Sequence, residues 1–323
     1  MDAPSPCVVT IGVFDGMHKG HRHLVQTARE RAMALSLPLK AITFDPHPMA
    51  VVGRGEPPPS LAQLDHRMEL LKSAGADDVE VLRFDSELAK MSPDDFAADV
   101  LVGRFGARAV VIGPDFRFGH RAAGDVVSLA AAGERLGFEV VVASPAGEGG
   151  QHWSSTLCRE RIIAGDVRGA ADVLGRPYRL VGEVVRGASR GADLGFPTAN
   201  LALTGNPAWP ADGVYAGVMR VVDGTPGTPD SGPWTAAISV GTNPQFNGQD
   251  RHVEVHAIDQ TGLDLYGRRV VVDVIDRLRD QRVFSDIDRL VDQMGRDVAQ
   301  SRALVEGALE AAGRSGGERL VPS

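Results

Sequence analysis

Four clusters of residues in this 323-residue chain carry side chains able to manage phosphate chemistry. The first is Gly12-Val13-Phe14-Asp15-Gly16-Met17-His18-Lys19-Gly20-His21, an apolar run ending in two histidines around a glycine. A glycine removes side-chain bulk, so two imidazoles can converge on one set of phosphate oxygens. There they would donate hydrogen bonds to charge that develops during nucleotidyl transfer. The same histidines also read as ordinary polar residues at a helix start. The second cluster is Ser154-Ser155-Thr156-Leu157-Cys158-Arg159. Hydroxyls at a helix N-terminus, with Arg159 one turn on from Ser155, make an anion site. Taken alone, Ser155 and Thr156 read equally as helix caps.

The third cluster, Gly195-Phe196-Pro197-Thr198-Ala199-Asn200, follows the Gly-rich Gly187-Ala188-Ser189-Arg190-Gly191. Thr198 and Asn200 stand two apart, so in an extended strand they share a face. Both offer neutral oxygens suited to a hard cation carried by phosphates, and a Gly-rich backbone can wrap phosphates through its N–H groups. A turn leading into a strand explains the same letters. The fourth cluster is Arg251-His252-Val253-Glu254-Val255-His256, which alternates polar and apolar residues. Glu254 reads either as a solvated strand residue or as a general base for a substrate hydroxyl. A zinc site from His252 and His256 lacks further ligands in the sequence.

Two textures of chain position these clusters. Up to Ala143, apolar runs at Cys7–Phe14, Pro38–Phe44, Asp78–Phe84, Ala107–Gly113 and Phe138–Ala143 alternate with helical spacing at Lys19–Leu35, Leu61–Ala74, Pro93–Phe105 and Asp125–Leu136. Strands buried on both faces read as continuous apolar runs, so a doubly wound parallel-sheet (Rossmann-like) α/β domain is expected. Helices at Ser155–Ala164 and Asp166–Leu174 complete it. Beyond Pro177, short strands at Tyr178–Arg186, Val214–Val222, Trp234–Val240, His252–Ile258 and Arg269–Leu278 are separated by turn residues. An antiparallel barrel or sandwich is expected, followed by a helix over Ile287, Leu290, Val291, Met294 and Val298. The expected division is therefore 1–177, 178–313 and a frayed tail at 314–323.

Bulk properties exclude several classes. A net charge of −8 argues against a general nucleic-acid binder. Two cysteines, Cys7 and Cys158, offer neither a disulfide framework nor metal spacing. No apolar stretch suggests a leader or a membrane span, so a cytoplasmic address with no membrane partner is expected.

Gly12–His21, Phe44-Asp45-Pro46-His47-Pro48, Gly113-Pro114-Asp115-Phe116-Arg117-Phe118-Gly119 and Ser154–Arg159 occur in that order. Together they resemble the FMN adenylyltransferase module of bifunctional bacterial riboflavin kinase/FAD synthetases. Gly195–Asn200, Gly213–Gly217, Ser239–Pro244, Val253–His256 and Asp264–Gly267 resemble the riboflavin kinase domain of the same family, which implies a small antiparallel β-barrel of the six-stranded type with a C-terminal helix. The resemblance covers nearly the whole chain. It implies ATP, riboflavin and FMN as small-molecule partners and Mg²⁺ entering with ATP. Flavins are then substrate and product, with no tightly held organic cofactor.

By that resemblance His18 and His21 stabilise the α-phosphate transition state and the departing pyrophosphate, with Gly12, Phe14 and Gly20 of the same loop binding the nucleotide and its phosphates. Ser155, Thr156 and Arg159 hold the ATP phosphates, and Asp115 lines the nucleotide pocket. Phe116 and Phe118 line the flavin pocket, joined by Asp45 and His47 unless those two merely stiffen a strand exit. Gly191, Thr198 and Asn200 bind Mg–ATP in the kinase half, and Glu254 deprotonates the riboflavin 5′-hydroxyl. Ala192 occupies a place often held by Arg. Retention of only one activity, a different phosphate acceptor, and a flavin-binding regulator stay open as alternatives, as does monomer against weak homo-oligomer.

Overall fold

In a computed structural model, residues 4–53, 55–187, 191, 194–222, 231–242 and 251–315 are described. Ala192, residues 223–230, residues 243–250 and the end of the expected tail from 316 lie outside them. Packing divides the chain into two units: Met1–Pro58 with Ala62–Ser154, and Pro59–Leu61 with Ser155–Ser323.

The first unit runs β1 (Cys7–Ile11), α1 (Lys19–Leu35), β2 (Leu39–Asp45), α2 (Pro48–Val52), α3 (Leu64–Ser73), β3 (Asp78–Arg83), α4 (Pro93–Asp95), β4 (Ala107–Ile112), α5 (Val126–Leu136), β5 (Glu139–Val142) and the short pair β6 (Gly147–Glu148) and β7 (Gln151–His152). Five parallel strands stand in the order β3-β2-β1-β4-β5. Successive residues of the central strands feed opposite cores, as a sheet covered on both faces requires. Val9, Ile11, Val110 and Ile112 pack with Leu101 and Leu129 on one side. Val8 and Val111 pack with Val25, Leu39 and Leu71 on the other. Asp125 caps α5 reciprocally with Ser128, which fixes where that helix begins.

The second unit runs α6 (Ser155–Ile163), α7 (Val167–Leu174), β8 (Tyr178–Val185), β9 (Ala199–Leu203), β10 (Gly213–Val221), β11 (Trp234–Thr242), β12 (Arg251–Ala257), β13 (Arg269–Asp280) and α8 (Ile287–Ser315). Six strands close into a barrel in the order β10-β11-β12-β9-β8-β13. A buried bidentate pair from Arg179 to Asp273 joins β8 to β13. A second, from Arg279 to Asp297, ties β13 to α8.

Several details depart from the sequence expectation. Strand β9, which completes the barrel, was expected only as the strand start after Pro197. Residues Phe96–Arg104 coil as a wide π-helix rather than as an α-helix through Phe105. The last helix runs to Ser315, one residue past the start of the expected tail. The packing division falls ahead of α6, whereas the texture of the sequence changes at Pro177. The physical reason is that α6 and α7 pack on each other, and α7 rests on β8 and β13, where Arg168 pairs with Asp276.

Candidate functional site

The strand order reverses direction of travel between β1 and β4, and ligands of open α/β sheets collect outside the carboxyl ends of strands at such a point. Two of the chemistry-bearing loops leave from there: Gly12–His21 after β1, and Gly113–Gly119 after β4. The β1 loop is held in an unusual backbone. Phe14, Gly16 and Met17 all take positive φ, at 53°, 79° and 41°. Left-handed conformations are costly for Phe and Met and persist only where packing over-determines them. Here Phe14 and Met17 are fully buried, and Asp15 accepts from the Ala62 N–H at 3.2 Å.

That loop delivers His18 as the N-cap of α1, with its ring accepting from the His21 N–H at 3.3 Å through Nδ1. An accepting Nδ1 leaves the ring proton on Nε2, the outer nitrogen. The two imidazoles stack with centroids 3.7 Å apart and an interplanar angle of 24°, and Phe14 meets His21 edge-on at 5.4 Å. A side chain at position 20 has no room: a Cβ there would lie 3.0 Å from the His18 ring and from the Trp153 carbonyl. Glycine is thus required by close approach, as the sequence argument held. Burial first, then the neighbouring His18 and the Arg67 guanidinium, hold His21 well below its ordinary value of 6.5. The ring is neutral at pH 7 and presents a fixed dipole to an anion rather than a second full charge.

In the β4 loop Asp115 is exposed, and Phe116 is half-buried with its ring stacked 5.5 Å from that of Phe118. Phe118 itself is only 7% exposed and belongs to the core beside Phe96. Asp45 is exposed at the end of β2. His47 caps α2, its Nδ1 accepting from the Met49 N–H at 3.2 Å. His66 is buried, while His23 and His120 bond to Ser144 and to the Ala89 carbonyl at the surface.

Within the second unit, Ser155 and Thr156 open α6, and Arg159 Nε donates to the Pro59 carbonyl at 2.7 Å. Cys158 is fully buried, as a small hydrophobe would be.

The barrel brings Asn200 and Glu254 together by register. Asn200 on β9 stands directly opposite Glu254 on β12, which in turn faces Ser239 on β11. Directly opposed residues of antiparallel strands share a face, with Cβ atoms about 5 Å apart. Val253 and Val255 are buried while Glu254 is half-exposed, so the carboxylate stands on the polar side of the alternation. Thr198 lies just ahead of β9. Both Gly-rich positions press on these side chains: a Cβ at Gly187 would fall 2.0 Å from the Asn200 amide nitrogen, and one at Gly191 3.3 Å from Thr198 Oγ1. His256 lies with Nδ1 2.8 Å from the Pro197 carbonyl. Among the described residues no group of three or more His, Cys, Asp or Glu side chains could hold a metal.

Beside Thr198 opens a cavity of about 170 Å³, walled by Met219, Val255, Leu265 and Ala257, with Tyr266 at its edge. Tyr266 is 57% exposed. Sequence reasoning had quoted Tyr266 within a motif without giving it a role. It had passed over Arg67, Trp153 and Gln281 altogether. Gln281 donates to Ser239 Oγ at 2.9 Å, next to Glu254 in the register. No described helix is long and apolar enough to cross a membrane.

Two family models match separate stretches of the chain. Residues 1–157 match the family model for FAD synthetase, and residues 174–305 that for riboflavin kinase. The bifunctional riboflavin kinase/FMN adenylyltransferase of Escherichia coli strain K12 is 34% identical over 296 residues, covering 92% of each chain. The Pseudomonas fluorescens protein of the same description is 35% identical, covering 92% of this chain and 93% of its own. A solved structure described as a macrolide-efflux protein from Streptococcus pneumoniae has a TM-score of 0.82 at 32% identity, covering 94% of this chain and 95% of its own.

Proposed function

The chain belongs to the bifunctional riboflavin kinase/FMN adenylyltransferase family, and from that premise we propose which residues carry each of its two reactions. It phosphorylates riboflavin with ATP to give FMN, and it adenylylates FMN with ATP to give FAD and pyrophosphate.

Adenylyl transfer is assigned to the first constellation, residues 1–177 being the adenylyltransferase domain. The FMN phosphate attacks the α-phosphorus of ATP in line, and pyrophosphate leaves from the opposite side. No covalent intermediate on the protein is required, so positioning and electrostatics do most of the work. His18, donating through Nε2, and the neutral His21 face the charge that grows on the α-phosphate and the leaving group. Gly12, Phe14 and Gly20 shape their loop. Ser155, Thr156 and Arg159 take the ATP phosphates, and Asp115 the nucleotide. The half-buried Phe116 lines the flavin pocket, with Phe118 setting its plane from the core and Asp45 and His47 at the rim. The stacked, backbone-fixed histidine pair at the switch point is the observation that supports this assignment most.

Phosphoryl transfer is assigned to the barrel face, in the kinase domain 178–313. Glu254 accepts the riboflavin 5′-hydroxyl proton as that oxygen attacks the γ-phosphorus of ATP. Thr198 and Asn200 fit a magnesium ion arriving with ATP, since a hydroxyl and an amide oxygen are hard, neutral ligands and the phosphates supply the charge. That ion would neutralise charge on the β- and γ-phosphates. Gly187 and Gly191 leave room only for backbone beside those two side chains. The cavity beside Thr198 takes the nucleoside end of ATP, with Tyr266 available to stack on a base. The direct Asn200–Glu254 register pair is the supporting observation: it sets the base next to the metal–phosphate ligands.

The experiment is a time course with purified protein, riboflavin, ATP and Mg²⁺, separating flavins by chromatography. FMN should appear first and FAD after it. Supplied FMN should give FAD without any need for riboflavin. Absence of either product would remove the corresponding assignment.

A further inference from the structure

Resting on the assignment of His18 and His21 to adenylyl transfer, we propose that Arg67 is a positioning residue for that reaction, clamping the histidine-bearing loop onto the exit of β2. Arg67 sits on α3, only 8% exposed, in a stretch that carries no motif. Its Nη1 donates to the Val13 carbonyl at 2.8 Å and reaches Thr43 Oγ1 at 3.3 Å and the Phe44 carbonyl at 3.4 Å. Thr43 Oγ1 itself donates to the Val13 carbonyl at 3.0 Å. One planar cation therefore gathers the residue before the left-handed Phe14 and the last residues of β2 into a single node.

A buried guanidinium is expensive unless its surroundings repay it. Nε of Arg67 has no hydrogen-bond partner among the described residues, so the repayment is incomplete, and a purely structural purpose would be met as well by an apolar side chain. What the charge secures is the loop. Three consecutive-region residues at positive φ are held from behind at two points, Val13 by Arg67 and Asp15 by the Ala62 N–H. Both holds come from the same short stretch, residues 62–67. Releasing one lets the backbone between β1 and α1 relax toward ordinary φ, and the His18 cap and the His18–His21 stack move with it. Asp15 and Asp45 act electrostatically on Arg67 and keep it charged against its burial. Arg67 itself touches neither substrate nor the reacting phosphorus in this account.

The test uses the full-length chain and its second activity as an internal check. Arg67→Met should lower kcat for FAD formation from FMN, ATP and Mg²⁺ by about 100-fold, the usual cost of displacing catalytic groups by about 1 Å. KM for ATP and FMN should change by less than about threefold, since binding contacts are untouched. Riboflavin phosphorylation should proceed at the wild-type rate. A kcat within about twofold of wild type overturns the proposal, and so does a raised KM at unchanged kcat. Should Arg67→Met lose both activities through misfolding, Arg67→Lys decides. Lysine keeps the charge but not the planar fork, so kcat should fall by about tenfold, and a wild-type kcat overturns the proposal. His21→Ala run alongside separates the two claims. Normal FAD formation by that variant removes the histidine assignment itself, whereas normal Arg67→Met beside an inactive His21→Ala removes only the clamp.

Discussion

The two units solve the same problem, the handling of ATP phosphates, with opposite materials. In the first, His18 is buried and His21 half-buried at the start of a helix, held by a strained loop and by one another. His18 is 6% exposed and its ring is locked by the backbone of His21. In the second, Asn200 and Glu254 stand half-exposed on a strand face, and what fixes them is hydrogen-bond register between β9, β12 and β11. Burial and loop geometry give the adenylyl site a set of dipoles whose charge state is set in advance. Register gives the kinase site a base that solvent can reach, beside oxygens that suit a cation. The first arrangement should be sensitive to what lies behind the loop, the second to what displaces a single side chain across the strands.

Four measurements sharpen or break that contrast, from the largest expected effect downward. Replacing the proposed base, Glu254→Ala, should reduce riboflavin phosphorylation by about 10³-fold while FAD still forms from supplied FMN. His21→Ala should do the reverse, lowering FAD formation by about 10²- to 10³-fold and leaving FMN to accumulate. Gly187→Ala puts a methyl group 2.0 Å from the Asn200 amide nitrogen. The amide must swing aside, and kinase kcat/KM should fall by about tenfold with adenylylation unchanged; an unchanged kinase would mean Asn200 is not a ligand.

The smallest effect is one of pH. A depressed His21 pKa means that the folded state resists a proton which the unfolded chain accepts below 6.5. Stability from this group is complete above 6.5 and is lost as pH falls from there toward the lowered value. FAD formation should hold level from about pH 6.5 to about pH 8. A rate that declines as pH rises through 6.5 would show that the charged imidazolium is the working form, contrary to the burial argument.

Much of this molecule could be read from its letters, for identifiable reasons. Strands buried on both faces in a parallel sheet must be largely apolar, so the central β1 and β4 stood out as runs. The alternation around Glu254 gave its face correctly because Val253 and Val255 are buried on the other. Strand β9 was harder to see as an element. It is five residues long and half-buried, and its first positions read equally as a turn. The wide helix at Phe96–Arg104 carries no local signal separating i→i+5 from i→i+4 bonding.

Among site residues, sequence motifs drew attention to the side chains proposed to meet substrate and passed over those that hold them. Arg67 contacts the loop from 54 residues away in sequence, and nothing in its neighbours announces that approach. Gln281 behind Ser239 is similar. His47 shows the converse. A motif drew attention to it, and the structure gives it a capping bond to Met49. The extent of α6 and α7 was legible from helical spacing, but the packing of α7 on β8 and β13 was not, because nothing in its letters names the strands it covers.

The central claim is that the histidine constellation and the barrel face carry two separate reactions. It is tested most directly by mixing purified Glu254→Ala and His21→Ala proteins with riboflavin, ATP and Mg²⁺. Neither variant alone should carry riboflavin through to FAD at an appreciable rate, and the mixture should, with free FMN passing from one protein to the other. A mixture that makes no FAD, although each variant retains its own half-reaction when assayed separately, would contradict the account.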